Sequence, residues 1–192
     1  MPDAITQREQ WLLALTALLA PRYAALGYPL PSMRVSCGFP SKGIRAKSIG
    51  ECWSPSCAED GLSQIFIHPK ESDSIAVAAI LAHELDHAAV GLKCKHHGPF
   101  KVVALALGLE GDMKATVPGE PFKAMMVDML DAIGPYPHAS LHGANTSAGK
   151  KQTTRLLKVL CPSCGYTVRT THQWIEHGYP MCPCGTEMVE PE

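Results

Sequence analysis

The spacing of apolar positions changes along the chain, and each change marks an element. Ile5, Trp11, Leu12, Leu15, Leu18 and Leu19 recur at helical spacing over residues 3–20, and Pro21 interrupts the pattern. This predicts an amphipathic N-terminal helix with Trp11 on the core. From residue 30 to 69 the texture shortens. Residues 33–37, 45–53 and 64–68 form short alternating runs separated by Gly, Pro and Ser, which predicts a small antiparallel sheet.

Residues 75–90 are apolar on nearly every side before His83, with Ser72-Asp73-Ser74 ahead as N-cap candidates and Gly91 as a stop. Such a helix belongs at the centre of a domain. Pro99 opens a further helix that Gly108 ends, with Phe100, Val103, Ala104 and Leu107 as its buried stripe. A last one runs over 121–133, where Phe122, Met125, Met126, Met129 and Ile133 share a face that reads as core. Residues 134–152 are rich in Pro, Gly, Ala and Ser and read as a linker. The expected organisation is α+β: a domain over 1–135, a linker over 136–152 and a small module over 153–192.

Composition adds limits. The chain has 192 residues, 46% hydrophobic and 18% charged, enough apolar material for a core. A formal net charge of -1 supplies no global basic field, so any nucleic-acid contact must be local. The N-terminus lacks the basic and apolar regions of a signal peptide, and no apolar run reaches the roughly 20 residues that span a bilayer. The expected location is the cytoplasm, without a membrane partner, where the eight cysteines serve as thiols or metal ligands.

The central helix carries the candidate chemistry, His83-Glu84-Leu85-Asp86-His87. Residues four apart share a helix face, so His83 and His87 can point two imidazoles at one zinc ion, and Glu84 can act as general base towards a water. Burying three such groups on an apolar helix without a metal leaves them seeking partners. A catalytic zinc takes three protein ligands. The continuation His-x-x-Gly-x-x-His does not fit, since Gly91 and Cys94 fall out of place. His97, just before the second long helix, is the best candidate; its neighbour His96 is the rival, and Glu110 or Asp112 rank lower. Asp86 is expected to face solvent rather than to support a ligand.

In the C-terminal module, Cys161-Pro-Ser-Cys164-Gly165 and Cys182-Pro-Cys184-Gly185 are two knuckles, the second one residue tighter. Four thiolates from two turns make a structural zinc site, a zinc ribbon that staples a piece too short for a core. His172 and His177 are weaker substitutes. Lys150, Lys151, Arg155, Lys158 and Arg169, interleaved with Tyr166 and Trp174, can hold phosphates and stack a base, although an ordinary solvated face is the better reading. Cys37, Cys52, Cys57 and Cys94 lack knuckle spacing and are expected to be small buried thiols.

The stretch HELDHAAVG followed by HHGPFKVVALALGLEG resembles the SprT-like metallopeptidases, the family that includes the Spartan proteases. The resemblance covers roughly residues 30–110, and the family often carries a ribbon after its protease domain. It implies a compact, minigluzincin-like zincin domain with His83, His87 and His97 as zinc ligands and Glu84 as catalytic base. The strand before the metal helix would lie along the cleft and pair with an extended substrate. The implied activity is zinc-dependent hydrolysis of peptide bonds, with two zinc ions, one catalytic and one structural. The implied substrates are proteins associated with DNA or crosslinked to it, and DNA, single-stranded or crosslink-bearing, is a candidate partner of the ribbon. The competing expectation is a DNA- or transcription-associated binding protein whose working part is the ribbon and whose peptidase activity is weak or latent.

Overall fold

The computed structural model describes residues 5–142 and 156–191, and the chain divides into two units, Met1–Gly143 and Ala144–Glu192. Both are built from helices and small sheets, an α+β organisation.

In the first unit, α1 (Arg8–Ala25) buries Trp11, Leu12, Leu15, Leu19 and Tyr23 along one stripe. Leu18 sits at the edge of that stripe and is exposed. Pro21 does not end the helix, contrary to expectation; it lies inside it. The lost backbone bond is outweighed because Tyr23, one half-turn further on, is anchored in the core.

Strands β1 (Met33–Cys37), β2 (Gly50–Trp53) and β3 (Ser63–Ile67) form one sheet in the order β1-β3-β2. The sheet is mixed rather than antiparallel: β1 runs parallel to β3, and β2 runs antiparallel to it. The long connection from β1 to β2 carries the chain past the place that β3 then fills. Ser63, Ile65 and Ile67 of β3 point inward, as a period of two requires. Because β3 is paired on both sides, it cannot take an added strand. The edge strands are β1 and β2.

Helix α2 (Ser74–Val90) is capped by the Asp73 carboxylate, which accepts the Ala76 N–H at 2.8 Å, and stops at Gly91, whose φ of 84° suits glycine. It packs against α1 and against β2 and β3. Helix α3 (Pro99–Ala106) buries Phe100, Val103 and Ala104. The chain then forms a hairpin of β4 (Leu109–Asp112) and β5 (Ala115–Pro118). The apolar pattern predicts no element there, because each strand has four residues and only Leu109 among them is buried. Gly108 closes the base of the hairpin at φ 85°; a Cβ there would sit 2.6 Å from the Phe122 nitrogen. Helix α4 (Glu120–Ile133) follows, with Phe122 and Met126 buried and Met125, Met129 and Ile133 packed against the core.

Residues 136–142, expected as linker, pack on the first unit. The Tyr136 ring lies 4.9 Å from Trp11, its N–H donates to the Ser74 hydroxyl at 2.9 Å, and Leu141 N–H donates to the Pro69 carbonyl at 2.8 Å. The rest of the expected linker, with Lys150, Lys151 and Arg155, lies outside the described residues. Among the described residues no helix is long and apolar enough to cross a membrane.

The second unit pairs β6 (Leu157–Leu160) with β7 (Thr167–Thr170), followed by the short helix α5 (His172–Ile175). Its core is Val159, Cys161, Cys182 and Met188.

Asp86 does not face solvent. It is fully buried between α2 and α1, where the Tyr23 hydroxyl donates to its Oδ1 at 2.8 Å and lies 2.9 Å from the Ala82 carbonyl. Burial pushes the Asp86 carboxyl well above its usual range, and the Tyr23 hydrogen bond opposes this. Tyr23→Phe strips a buried carboxyl of its partner, so stability should fall by about 1–3 kcal/mol in chemical denaturation. An unchanged midpoint with an unchanged slope would show that the contact contributes nothing.

Candidate metal centres

Helical spacing on α2 brings the His83 and His87 rings to 5.2 Å between centroids. A third imidazole arrives from the turn between α2 and α3. It belongs to His96, whose ring lies 5.3 Å from His83 and 4.7 Å from His87. His87 Nε2 and His96 Nε2 are 3.2 Å apart. One ring nitrogen from each of the three lies within 4.8 Å of the others, so the group can hold a metal ion.

His97 is not in this group. It is exposed, and its carbonyl accepts the Phe100 N–H at the start of α3. The reason is the turn. Lys95 and Gly98 both have positive φ, 50° and 55°, and the backbone reverses between them. Adjacent side chains then point apart, His96 inward and His97 outward. Glu110 and Asp112 are exposed on β4 and do not join the group. Phe100, fully buried, floors the cluster with its ring 4.5–5.0 Å from all three imidazoles.

The electrostatics favour neutral rings. Burial, then the proximity of His87 and His96, pushes His83 down to about 3; burial, then His96, pushes His87 down to about 4. His96 is lowered as well, by burial first and by Lys114 next. At neutral pH all three therefore offer lone pairs, the form that ligates a metal.

Glu84 stands beside them, only 6% exposed. Burial, followed by the charges of Glu51 and Asp86, raises it to about 8, and the Cys52 backbone N–H opposes the shift. Its room comes from Gly50 on β2, where a Cβ would lie 2.5 Å from Glu84 Oε1 and 2.7 Å from Ile80 Cγ2. The cluster opens into a cavity of about 390 Å³, walled by β2 on one side and by Lys114, Ala115 and Thr116 of the β4–β5 hairpin on another. The strand along this cavity is thus β2, not the expected run at 64–68. Cys52 also lines it, half-buried, its thiol pushed up to about 12 by burial and by Glu84. Neither Cys52 nor the hairpin carries a sequence signal that would place it here. Cys57, expected to be buried, is exposed.

In the second unit, Cys161, Cys164, Cys182 and Cys184 bring four sulfurs within 4.8 Å of one another. Cys161 and Cys184 are 3.5 Å apart, as are Cys164 and Cys182. Each knuckle turns on a glycine: Gly165 N–H donates to the Cys161 carbonyl at 2.9 Å with φ 76°, and Gly185 N–H to the Cys182 carbonyl at 2.8 Å with φ 86°. This second group can also hold a metal ion; His172 and His177 are not part of it. Lys158 and Arg169 face each other directly across β6 and β7, and Tyr166 and Trp174 are exposed.

Comparison with family models, with curated proteins and with solved structures finds no match to this chain.

Two outcomes follow from the geometry. Metal analysis of the full chain should find two ions, and His96→Ala should lose one of them while His97→Ala keeps both; the reverse pattern would restore His97 to the centre. Gly50→Ala should overpack the contact with Glu84 and Ile80 and cost about 1–3 kcal/mol in thermal or chemical unfolding, and a variant as stable as the parent would show that this contact relaxes freely.

Proposed function

We propose that this chain is a zinc-dependent metallopeptidase of the SprT-like kind, a compact zincin domain followed by a zinc ribbon. One observation carries the reading: three neutral imidazoles converge beside a buried carboxyl at the mouth of a cavity that an edge strand borders. Three nitrogen donors suit zinc in a site with one open position, and four thiolates suit a closed structural zinc. In tetrahedral geometry with Zn–S near 2.3 Å the sulfurs stand about 3.8 Å apart, close to the separations among the four cysteines.

His83, His87 and His96 would hold the first ion, which when bound supplies Lewis-acid activation of a water and of a carbonyl. The remaining chemistry belongs to the chain. Glu84 takes the proton of the attacking water on its carboxylate and delivers it to the departing amine nitrogen. An extended peptide laid against the free edge of β2 would present its backbone to Glu84, because β2 pairs only with β3 within the sheet.

The ribbon supports a DNA-associated setting. Like charges placed directly opposite on a strand pair repel each other, so Lys158 and Arg169 favour an anionic partner, and Trp174 offers a stacking face. The same observation favours the second reading, a DNA-associated binding protein with latent peptidase chemistry. None of the eight cysteines is joined in a disulfide, which suits the reducing, cytoplasmic compartment proposed for the chain.

The test uses an unfolded protein and a DNA-binding protein as substrates, with and without single-stranded DNA. Cleavage should be abolished by a chelator, and Glu84→Gln should lower the rate about 10²–10⁴-fold while both ions are retained. DNA binding without cleavage under any condition would favour the binding protein instead.

A further inference from the structure

The imidazoles of a metal centre need their second nitrogens held as well as their first. Of the three in the cluster, His83 has a polar partner on that side: its Nδ1 lies 2.9 Å from Thr116 Oγ1. His87 Nδ1 is buried with no partner, and its Nε2 is the atom that faces His96. Thr116 is carried by β5, opposite Gly111 in the hairpin register. The hairpin itself packs against α2 through β5. Asp112 Oδ1 accepts the Lys114 N–H at 3.0 Å to close the turn, and Gly119 N–H donates to the Gly108 carbonyl at 3.0 Å to close the base. Along β5, Thr116 and Pro118 are the half-buried positions, while Ala115 and Val117 face out.

We propose that Thr116 is a positioning residue for the metal centre: its hydroxyl oxygen accepts the Nδ1–H of His83, and so keeps the Nε2 lone pair of that ring free for the ion. This rests on the reading of the histidine cluster as a metal site. A neutral imidazole has a single N–H, and an unrestrained ring samples both tautomers and rotates about its side-chain bonds. Only the Nδ1–H form leaves a lone pair on the nitrogen not committed to Thr116. With the hydroxyl as acceptor, the hydrogen bond stabilises that form and holds the ring plane before metal arrives, which is how partners behind ligating histidines act on affinity. The β4–β5 hairpin thereby gains a role: it brings a hydroxyl to the back of a helix-borne ligand, 33 residues away in sequence.

The experiment uses the full chain with the cysteine site loaded and only the labile ion removed. Long-range ¹H–¹⁵N correlation spectra of the wild type should show His83 as the Nδ1–H tautomer. Zinc affinity of the labile site, read by competition with a chromophoric chelator, should fall about 10–100-fold in Thr116→Val and stay near wild type in Thr116→Ser, which keeps the oxygen. Three results overturn the proposal. One is an Nε2–H tautomer in the wild type. Another is wild-type affinity in the valine variant. The third is equal loss in the serine and valine variants, which would assign the effect to the methyl group. Uptake of a single ion by the wild type overturns the metal reading itself, and this is distinguishable from failure of Thr116 alone, where two ions are still bound.

Discussion

Removal of α2 from water on nearly every face is the constraint on which the first unit depends. Its alanines and branched side chains pack against α1, β2 and β3, and the polar residues at its C-terminal half share that dry setting. A buried polar side chain costs free energy unless it is partnered. Asp86 meets that requirement at Oδ1 through Tyr23 on α1, while its Oδ2 has no partner, and Glu84 meets it through the backbone of β2. Burial lowers the proton affinity of the histidines; His83 finds Thr116 at one nitrogen, whereas His87 Nδ1 is buried without a partner. One physical demand thus produces both the fold around α2 and the chemical state of the residues on it. Burial of this helix disfavours charge on its imidazoles and on its carboxyls alike.

The surroundings of α2 then convert that state into a site. Gly50 contributes by what it lacks, since a side chain at that place would occupy the space of the Glu84 carboxylate. Phe100 gives the three imidazoles an apolar floor. The turn at Lys95 to Gly98 chooses which of two consecutive histidines faces inward. The hairpin after α3 closes the far wall and brings Thr116 to His83. Each contribution comes from a different segment, and α2 is the element they share.

The second unit solves a different problem. Its buried core is four residues, two of them cysteines, too little apolar area to offset the entropy of ordering some forty residues. Two glycine-turned knuckles instead direct four sulfurs at one point. A metal held there would bind the folded state and not the unfolded chain, which is how small domains of this kind gain stability.

Much of this was legible in the residues. The helical period of 75–90, the histidines four apart, the Asp73 cap, the Gly91 stop and the two cysteine knuckles are local features, set by backbone geometry within a few residues of chain. So is the Met-rich core face of α4. What the tertiary structure decided is non-local. Pro21 stays helical because Tyr23 is anchored to Asp86, over sixty residues away. The strand that borders the cavity is β2, because β3 inserts between β1 and β2 and uses both its edges. His96 rather than His97 completes the cluster, because a reversal at Lys95 and Gly98 sets the direction of both side chains. Periodicity and spacing carry no information about which edge is left free or which way a turn faces; those follow from how the elements pack.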